Sequence, residues 1–266
     1  MDIQPIQLSD IDLLNELQPP DWEDIKPHYK YYFDSPYCEP IKISIEDKIV
    51  GIGTTFKHRD TVWLAHIIVH PGFRKRGIGK MITDTLVKSV DRTKYETIYL
   101  TDTELSYPVY LESGFEPESE YAHFEIEPGN KKPDVSPLII PYDDKYKSEI
   151  FELDKVTTGE FREVILNGCI QSSFVFLANG KVSGAYFPPL GDGLIIADDP
   201  DAGIELMKFR LLSENEAIFH LENKTALEFY SDINAKYKKT SKRMRLGKKR
   251  IWHPENLYNR IGGQIG

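Results

Sequence analysis

The sequence predicts an α/β (α+β) protein: a mixed, mostly antiparallel sheet flanked by helices, complete in the first half and repeated in reduced form in the second. Three observations predict it. Runs rich in β-branched residues at 41–45, 49–56 and 62–69 are separated by polar turns, as in a strand meander. The third run leads through a basic, glycine-bearing loop into a segment with Met81, Ile82, Leu86, Val87 and Val90 on one helical face. A similar order of runs returns after residue 140.

Each element follows from local chemistry. Residues 3–8 read as a short strand. Ser9 or Asp10 can cap a helix carrying Ile11, Leu13, Leu14 and Leu17, which Pro19 and Pro20 stop. Residues 21–40 are aromatic-rich and read as irregular. After the meander come a helix over 79–91, a strand over 95–101, a short helix over 108–113 and a hairpin-like region through Phe124 and Ile126. Pro128 to Pro133 reads as a linker. In the second half, helices are expected at 148–156 and 161–166. Strands are expected at 173–177, 182–187 and 193–197, the first two joined by Ala178-Asn179-Gly180-Lys181. A helix bearing Ile204, Leu206, Met207, Leu211 and Leu212, a strand at 217–221 and a helix at 226–230 complete the plan.

The loop carries the chemistry. The chain runs Ile67-Ile68-Val69-His70-Pro71-Gly72-Phe73-Arg74-Lys75-Arg76-Gly77-Ile78-Gly79-Lys80. Two glycines let backbone N–H groups approach a ligand, and the new helix offers unpaired donors and its positive end. That suits a pyrophosphate. The spacing fits neither Gly-x-x-x-x-Gly-Lys-Ser/Thr nor Gly-x-Gly-x-x-Gly. It is Arg-x-x-Gly-x-Gly, directly after a strand ending in Val-x-Pro. A second motif, Tyr110-x-x-x-Gly114-Phe115, follows Pro108, which suits a helix's first turn; Gly114 suits its end.

Together these motifs resemble those of the GNAT superfamily of acyl-CoA-dependent N-acetyltransferases, and the order β-α-α-β-β-β-α-β-α-β resembles one complete GNAT domain. The resemblance implies a tandem GNAT fold and acetyl-CoA (coenzyme A) as acyl donor. It assigns cofactor binding to Ile67, Ile68, Val69, Arg74, Lys75, Arg76, Gly77, Ile78, Gly79 and Lys80. It makes Tyr110 the candidate general acid for the leaving thiolate; the alternative is a helix tyrosine packed into the core. Asp102 and Thr103, at the end of the 95–101 strand, are candidate substrate contacts. Residues 21–40 would line the acceptor side, although most of those rings can simply pack the helices together.

The implied domains are a catalytic GNAT domain over 1–130, a linker over 131–140 and a degenerate GNAT-like domain over 141–266. Where the first half has its basic loop, the second has Asp198-Asp199-Pro200-Asp201, which would repel a pyrophosphate. Tyr230 stands where Tyr110 stands, but no Gly-Phe pair follows. The whole is similar to a bacterial two-domain group with a YitH-like second domain. Gly193-Leu194-Ile195-Ile196-Ala197-Asp198 and Arg243-Met244-Arg245-Leu246-Gly247 match its phrases, except that Leu194 replaces a proline.

Other features of the sequence admit different roles. His66 or His70 could act as a base, or face solvent and shape a turn. Residues 236–250 hold nine Lys/Arg and no acid; they read as a solvated edge strand rather than a nucleic-acid surface. Cys38 and Cys169 have neither metal spacing nor a disulfide framework, and no metal site is expected. No run suggests a membrane span, and the start lacks signal-peptide character. A cytoplasmic enzyme is expected. Most of the net charge of −9 lies in residues 1–132, which favours a cationic amine, small molecule or peptide, as acceptor. The acceptor's identity, acyl chain length and oligomeric state stay open. The alternative function is a non-catalytic acyl-CoA-binding sensor or scaffold.

Overall fold

Strand β1 (Asp2–Pro5) pairs antiparallel with β2 (Cys38–Ile45), β2 with β3 (Lys48–Lys57), and β3 with β4 (Thr61–Val69). Between β1 and β2 lie a 3-10 segment, Leu8–Leu17, and helix α1 (Ile25–Asp34). The local sequence read residues 21–40 as aromatic-rich and irregular, while the resemblance placed a helix in this region. Capping and packing decide for the helix: the Asp24 carboxylate accepts the Lys26 N–H at 3.0 Å, and Ile25, Tyr29 and Tyr32 are buried at helical spacing.

Helix α2 (Ile78–Ser89) buries Ile78, Ile82 and Leu86 against the sheet, where they meet Val50, Val62 and Leu64. The approach is close. A Cβ on Gly53 would lie 2.7 Å from Ile82 Cγ2, so the glycine lets the helix seat. Strand β5 (Thr97–Thr101) returns parallel to β4, and helix α3 (Tyr107–Glu112) follows. Residues 244–247 extend the sheet beside β5. This first unit comprises Met1–Glu116, Met244–Lys248 and Gly263–Ile265.

The second unit comprises Pro117–Arg243, Lys249–Gly262 and Gly266. Strand β6 (Glu116–Glu125) runs into it. It then contains β7 (Ile139–Pro141), α4 (Lys147–Thr158), α5 (Glu163–Cys169), β8 (Phe174–Ala178), β9 (Lys181–Phe187), β10 (Leu194–Ala197), α6 (Pro200–Arg210), β11 (Glu216–His220), α7 (Lys224–Asp232), the first eight residues of β12 (Lys236–Gly247), and β13 (Leu257–Asn259). A five-stranded sheet has the order β13-β10-β9-β8-β7, while β11 pairs antiparallel with β6. Phe176, Tyr186, Ile195, Leu206, Phe219 and Tyr230 form the core.

The computed structural model describes residues 2–20, 22–127 and 134–266. The change of unit falls between Glu116 and Pro117, earlier than the expected boundary at 130, because β6 takes β11 as its partner. Strand β7 begins inside the expected linker over 131–140, and residues 128–133 lie outside the described residues. The order β8-β9-β10-α6-β11-α7-β12 reproduces β2-β3-β4-α2-β5-α3-β6.

Candidate active site

The site begins with a fault in β4. Ile52 faces Ile68 and Thr54 faces Ala65, so His66 and Ile67 together stand opposite Gly53. This is a β-bulge, and His66 takes a φ of +46° to make it. A left-handed backbone at a residue other than glycine costs about 1–2 kcal/mol. The surroundings hold it there: the Tyr29 hydroxyl donates to the His66 carbonyl at 3.0 Å, and the Tyr32 hydroxyl lies 2.7 Å from His66 Nδ1.

The bulge sits where β4 loses its second partner. Strand β5 pairs only with Thr61, Val62 and Trp63. Beyond Trp63 the outer edge of β4 has no strand partner among the described residues. The His70 N–H bonds the Val50 carbonyl at 2.9 Å. Strand alternation then turns the N–H groups of Ile67 and Val69 away from β3, toward the open side. The result is a slot between β4 and β5 edged by the outward N–H groups of Ile67 and Val69.

The loop after β4 is built by its own side chains. His70 Nδ1 accepts the Gly72 N–H at 3.1 Å, which shapes the turn over Pro71–Phe73. Arg74 Nε donates to the Val69 carbonyl at 3.2 Å, and the Arg76 guanidinium lies 5.0 Å from the Phe73 ring centre. Lys75 has φ +60° and Gly77 φ +78°. Gly77 is the N-cap of α2, has no side chain to cap it, and a Cβ there would meet nothing within 4 Å. Its glycine therefore serves backbone conformation and leaves the first N–H groups of α2 uncovered. Gly77, Lys80, Met81, Asp84, Thr85 and Lys88 line an adjoining groove of about 350 Å³. Lys80 bonds Asp84 at 2.6 Å, so the one acid in the groove is already neutralised.

Past the end of β5 in the chain, in helix α3, comes Tyr110. Helix α3 starts with Pro108 in its first turn and ends at Gly114, φ +88°, where the Phe115 N–H bonds the Tyr110 carbonyl at 3.0 Å. Tyr110 is only 5% exposed. Burial pushes its phenol up to about 12, against the Ser106 hydroxyl, with the Asp102 carboxylate adding to the rise. Asp102 is buried, so of the two candidate substrate contacts it is the one brought to Tyr110. Thr103 is tied into the turn instead: its hydroxyl lies 3.0 Å from Ser106 Oγ, and its N–H donates to that oxygen at 2.8 Å.

Residues 9–115 match the family model described as the Acetyltransferase (GNAT) family. The first unit is a GNAT domain. Solved structures share the fold over nearly the whole chain. A candidate acetyltransferase from Pyrococcus horikoshii superposes with TM-score 0.82 at 22% identity, covering 100% of this chain and 95% of that one. A GCN5-related N-acetyltransferase from Sphaerobacter thermophilus gives 0.66 at 14% identity, covering 95% and 98%. A tandem GNAT protein from the clavulanic acid biosynthesis pathway gives 0.60 at 12%, covering 92% and 98%. Among curated proteins, none matches this sequence.

The basic run is not an edge strand, contrary to the sequence expectation. Among the second-unit residues of β12, Lys238 pairs with Glu125 at 2.7 Å, Lys242 with Glu120 at 3.3 Å and Arg243 with Glu118 at 3.1 Å. In the GNAT domain Arg245 pairs with Glu116 and Lys248 with Glu96, each at 2.9 Å. Cations alternate with acids from neighbouring strands, so the run is largely spent on cross-strand pairs. Among the described residues no group of three His, Cys, Asp or Glu side chains could hold a metal ion, and no helix is long and apolar enough to cross a membrane.

Sequence reasoning missed the company His66 keeps. In the GNAT domain its ring lies 4.9 Å from His28 and 5.8 Å from Trp22 and is hydrogen-bonded to Tyr32. The aromatic density of residues 22–37 was the available signal; nothing local tied it to position 66.

Proposed function

We propose that the protein is an acetyl-CoA-dependent N-acetyltransferase that acetylates a primary amine of a small molecule or peptide by direct attack, in the cytoplasm. The observation that carries this reading is the open slot beside β4 continuing into the uncapped start of α2. The N–H groups of residues 75–80, with Arg74, Lys75, Arg76 and Lys80 around them, would hold the pyrophosphate. Ile67, Ile68 and Val69 would align the pantetheine and acyl group along the strand edge.

The neutral amine nitrogen attacks the thioester carbonyl, forming the C–N bond. The outward N–H of Ile67 or Val69 would stabilise the tetrahedral oxyanion. The C–S bond then breaks, and the proton lost by nitrogen ends on sulfur. A phenol near 12 stays protonated, and full transfer to a thiolate near ~8.5 is uphill by ~3.5 units, about 5 kcal/mol. Tyr110 therefore serves best as a hydrogen-bond donor to the departing sulfur, which lowers the barrier without surrendering its proton. Alignment of the reactants supplies much of the remaining acceleration, and no covalent enzyme intermediate is needed.

The test is release of free thiol from acetyl-CoA in the presence of a panel of primary amines. Amine-dependent release is expected for at least one class. Tight acetyl-CoA binding with no release from any amine class would favour a sensor instead.

A further inference from the structure

His66 lies in the strand that edges the slot, but the acetyl-transfer steps above do not use its side chain. Its ring is half-buried, and burial together with nearby His28 lowers its pKa to about 3, so it is neutral. A neutral imidazole carries one proton, and the neighbours decide where. Tyr32 is 2% exposed, and among the described residues His66 Nδ1 is the one acceptor within reach of its hydroxyl. Were Nδ1 protonated and donating, the Tyr32 hydrogen would be buried without an acceptor. The Tyr32 hydroxyl therefore donates to Nδ1, and the ring proton sits on Nε2. Among the described residues Nε2 has no hydrogen-bond partner, and it is not sealed from solvent. His66 thus offers a donor, which opposes the sequence-level idea of a base.

We infer that His66 Nε2–H is a specificity-determining donor that takes a carbonyl-type oxygen on the amine substrate, with His28 and Trp22 as flat walls beside it. The inference rests on the acetyltransferase reading. It sets the substrate class: an amine with an acceptor oxygen a few bonds from its nitrogen, an α-amino carbonyl compound. The short separation rests on adjacency: His66 immediately precedes Ile67, whose N–H edges the slot. A polyamine fits poorly because its N–H groups would meet a donor. A free amino acid and a peptide's first residue both supply such an oxygen; the shared chemistry is the α-amino carbonyl.

Two measurements test this. Long-range ¹H–¹⁵N correlation of the histidine rings in the full chain at pH 7 reads the tautomer directly. A proton on Nε2 of His66 is expected, with the fixed tautomer lost in Tyr32→Phe; a proton on Nδ1 overturns the inference whether or not any amine is turned over. The second compares kcat/KM for L-phenylalaninamide, L-phenylalanine and phenethylamine, which share ring and amine but differ in the oxygen. Wild type should favour an oxygen-bearing amine roughly tenfold or more. The ratio should collapse in Tyr32→Phe and survive in part in His66→Asn, which tolerates left-handed backbone and keeps an N–H donor. Equal turnover of all three by wild type overturns the inference. The preferred partner, amide or carboxylate, separates a peptide source from a free amino acid. Failure of acetyl-CoA to bind would instead overturn the acetyltransferase reading.

Discussion

The two units carry the same run of elements, yet one opens where the other is filled. In the GNAT domain β5 leaves β4 after Trp63, and the freed edge of β4 borders a slot. In the second unit the corresponding strands are β10 and β11, and β13 lies against both. Ile195 and Ile196 of β10 pair with Asn259 and Leu257. The Asn259 side chain accepts the Ile218 N–H at 2.9 Å and donates to the Asp192 and Gly193 carbonyls at 2.7 and 2.9 Å. The helix starts differ in the same sense. Gly77 leaves α2 uncapped, whereas the Asp199 carboxylate accepts the Asp201 N–H at 2.8 Å at the start of α6. Tyr258 then packs on α6 so closely that a Cβ on Gly203 would come within 2.2 Å of its ring. The lesson is that this order of elements specifies a scaffold. Whether it makes a binding site depends on a few residues: a glycine or an aspartate at the helix start, and an open or occupied edge. We read the second unit as a degenerate repeat on this basis.

Breaking the open side should have the largest effect. Gly77→Glu places a strained, anionic side chain at the uncapped helix start, and acetyl-CoA affinity should fall more than 100-fold in a folded protein. Unchanged affinity by calorimetry would remove the loop from the cofactor site. Removing the Tyr110 hydroxyl is next. Tyr110→Phe should lower kcat by roughly 10- to 100-fold, about 1.4–2.8 kcal/mol, with acetyl-CoA affinity little altered. Full activity in steady-state kinetics would mean the phenol only packs.

Perturbing the filled side should cost stability rather than activity. Gly203→Ala forces the Tyr258 ring to move, and overpacking of this kind costs roughly 1–3 kcal/mol, read by chemical denaturation. A neutral or stabilising result would show that β13 is not seated as described. A further effect is one of pH. His66 and His123 are held neutral, each near 3, and His220 is lowered well below its ordinary value, all chiefly by burial. The unfolded chain takes up these protons below about 6.5 while the native state does not. Stability from these groups is therefore present above 6.5 and is lost as pH falls toward 3. Urea midpoints at pH 7 and 5 should show the decline, and a midpoint higher at pH 5 would contradict it.

What was legible in the sequence is what is contiguous. The basic loop from Arg74 to Lys80, the α2 face and the Tyr110-to-Phe115 turn each lie within one stretch, and local chemistry fixes them. What was not legible depends on distant partners. The bulge at His66 exists because of its register against Gly53. The β12 cations meet acids more than a hundred residues away, so the run looked like a free basic edge. Strand β13 is three residues long and gains meaning only beside β10 and β11. Helix α1 was obscured by its own aromatic residues, which are there to surround His66 and pack the sheet.

The most direct test of the central claim is the stoichiometry of acetyl-CoA binding to the full chain by calorimetric titration. One equivalent per chain is expected, abolished by Gly77→Glu. Two equivalents, or one that survives Gly77→Glu, would mean that the second unit binds the cofactor and that the contrast between an open and a filled edge is wrong.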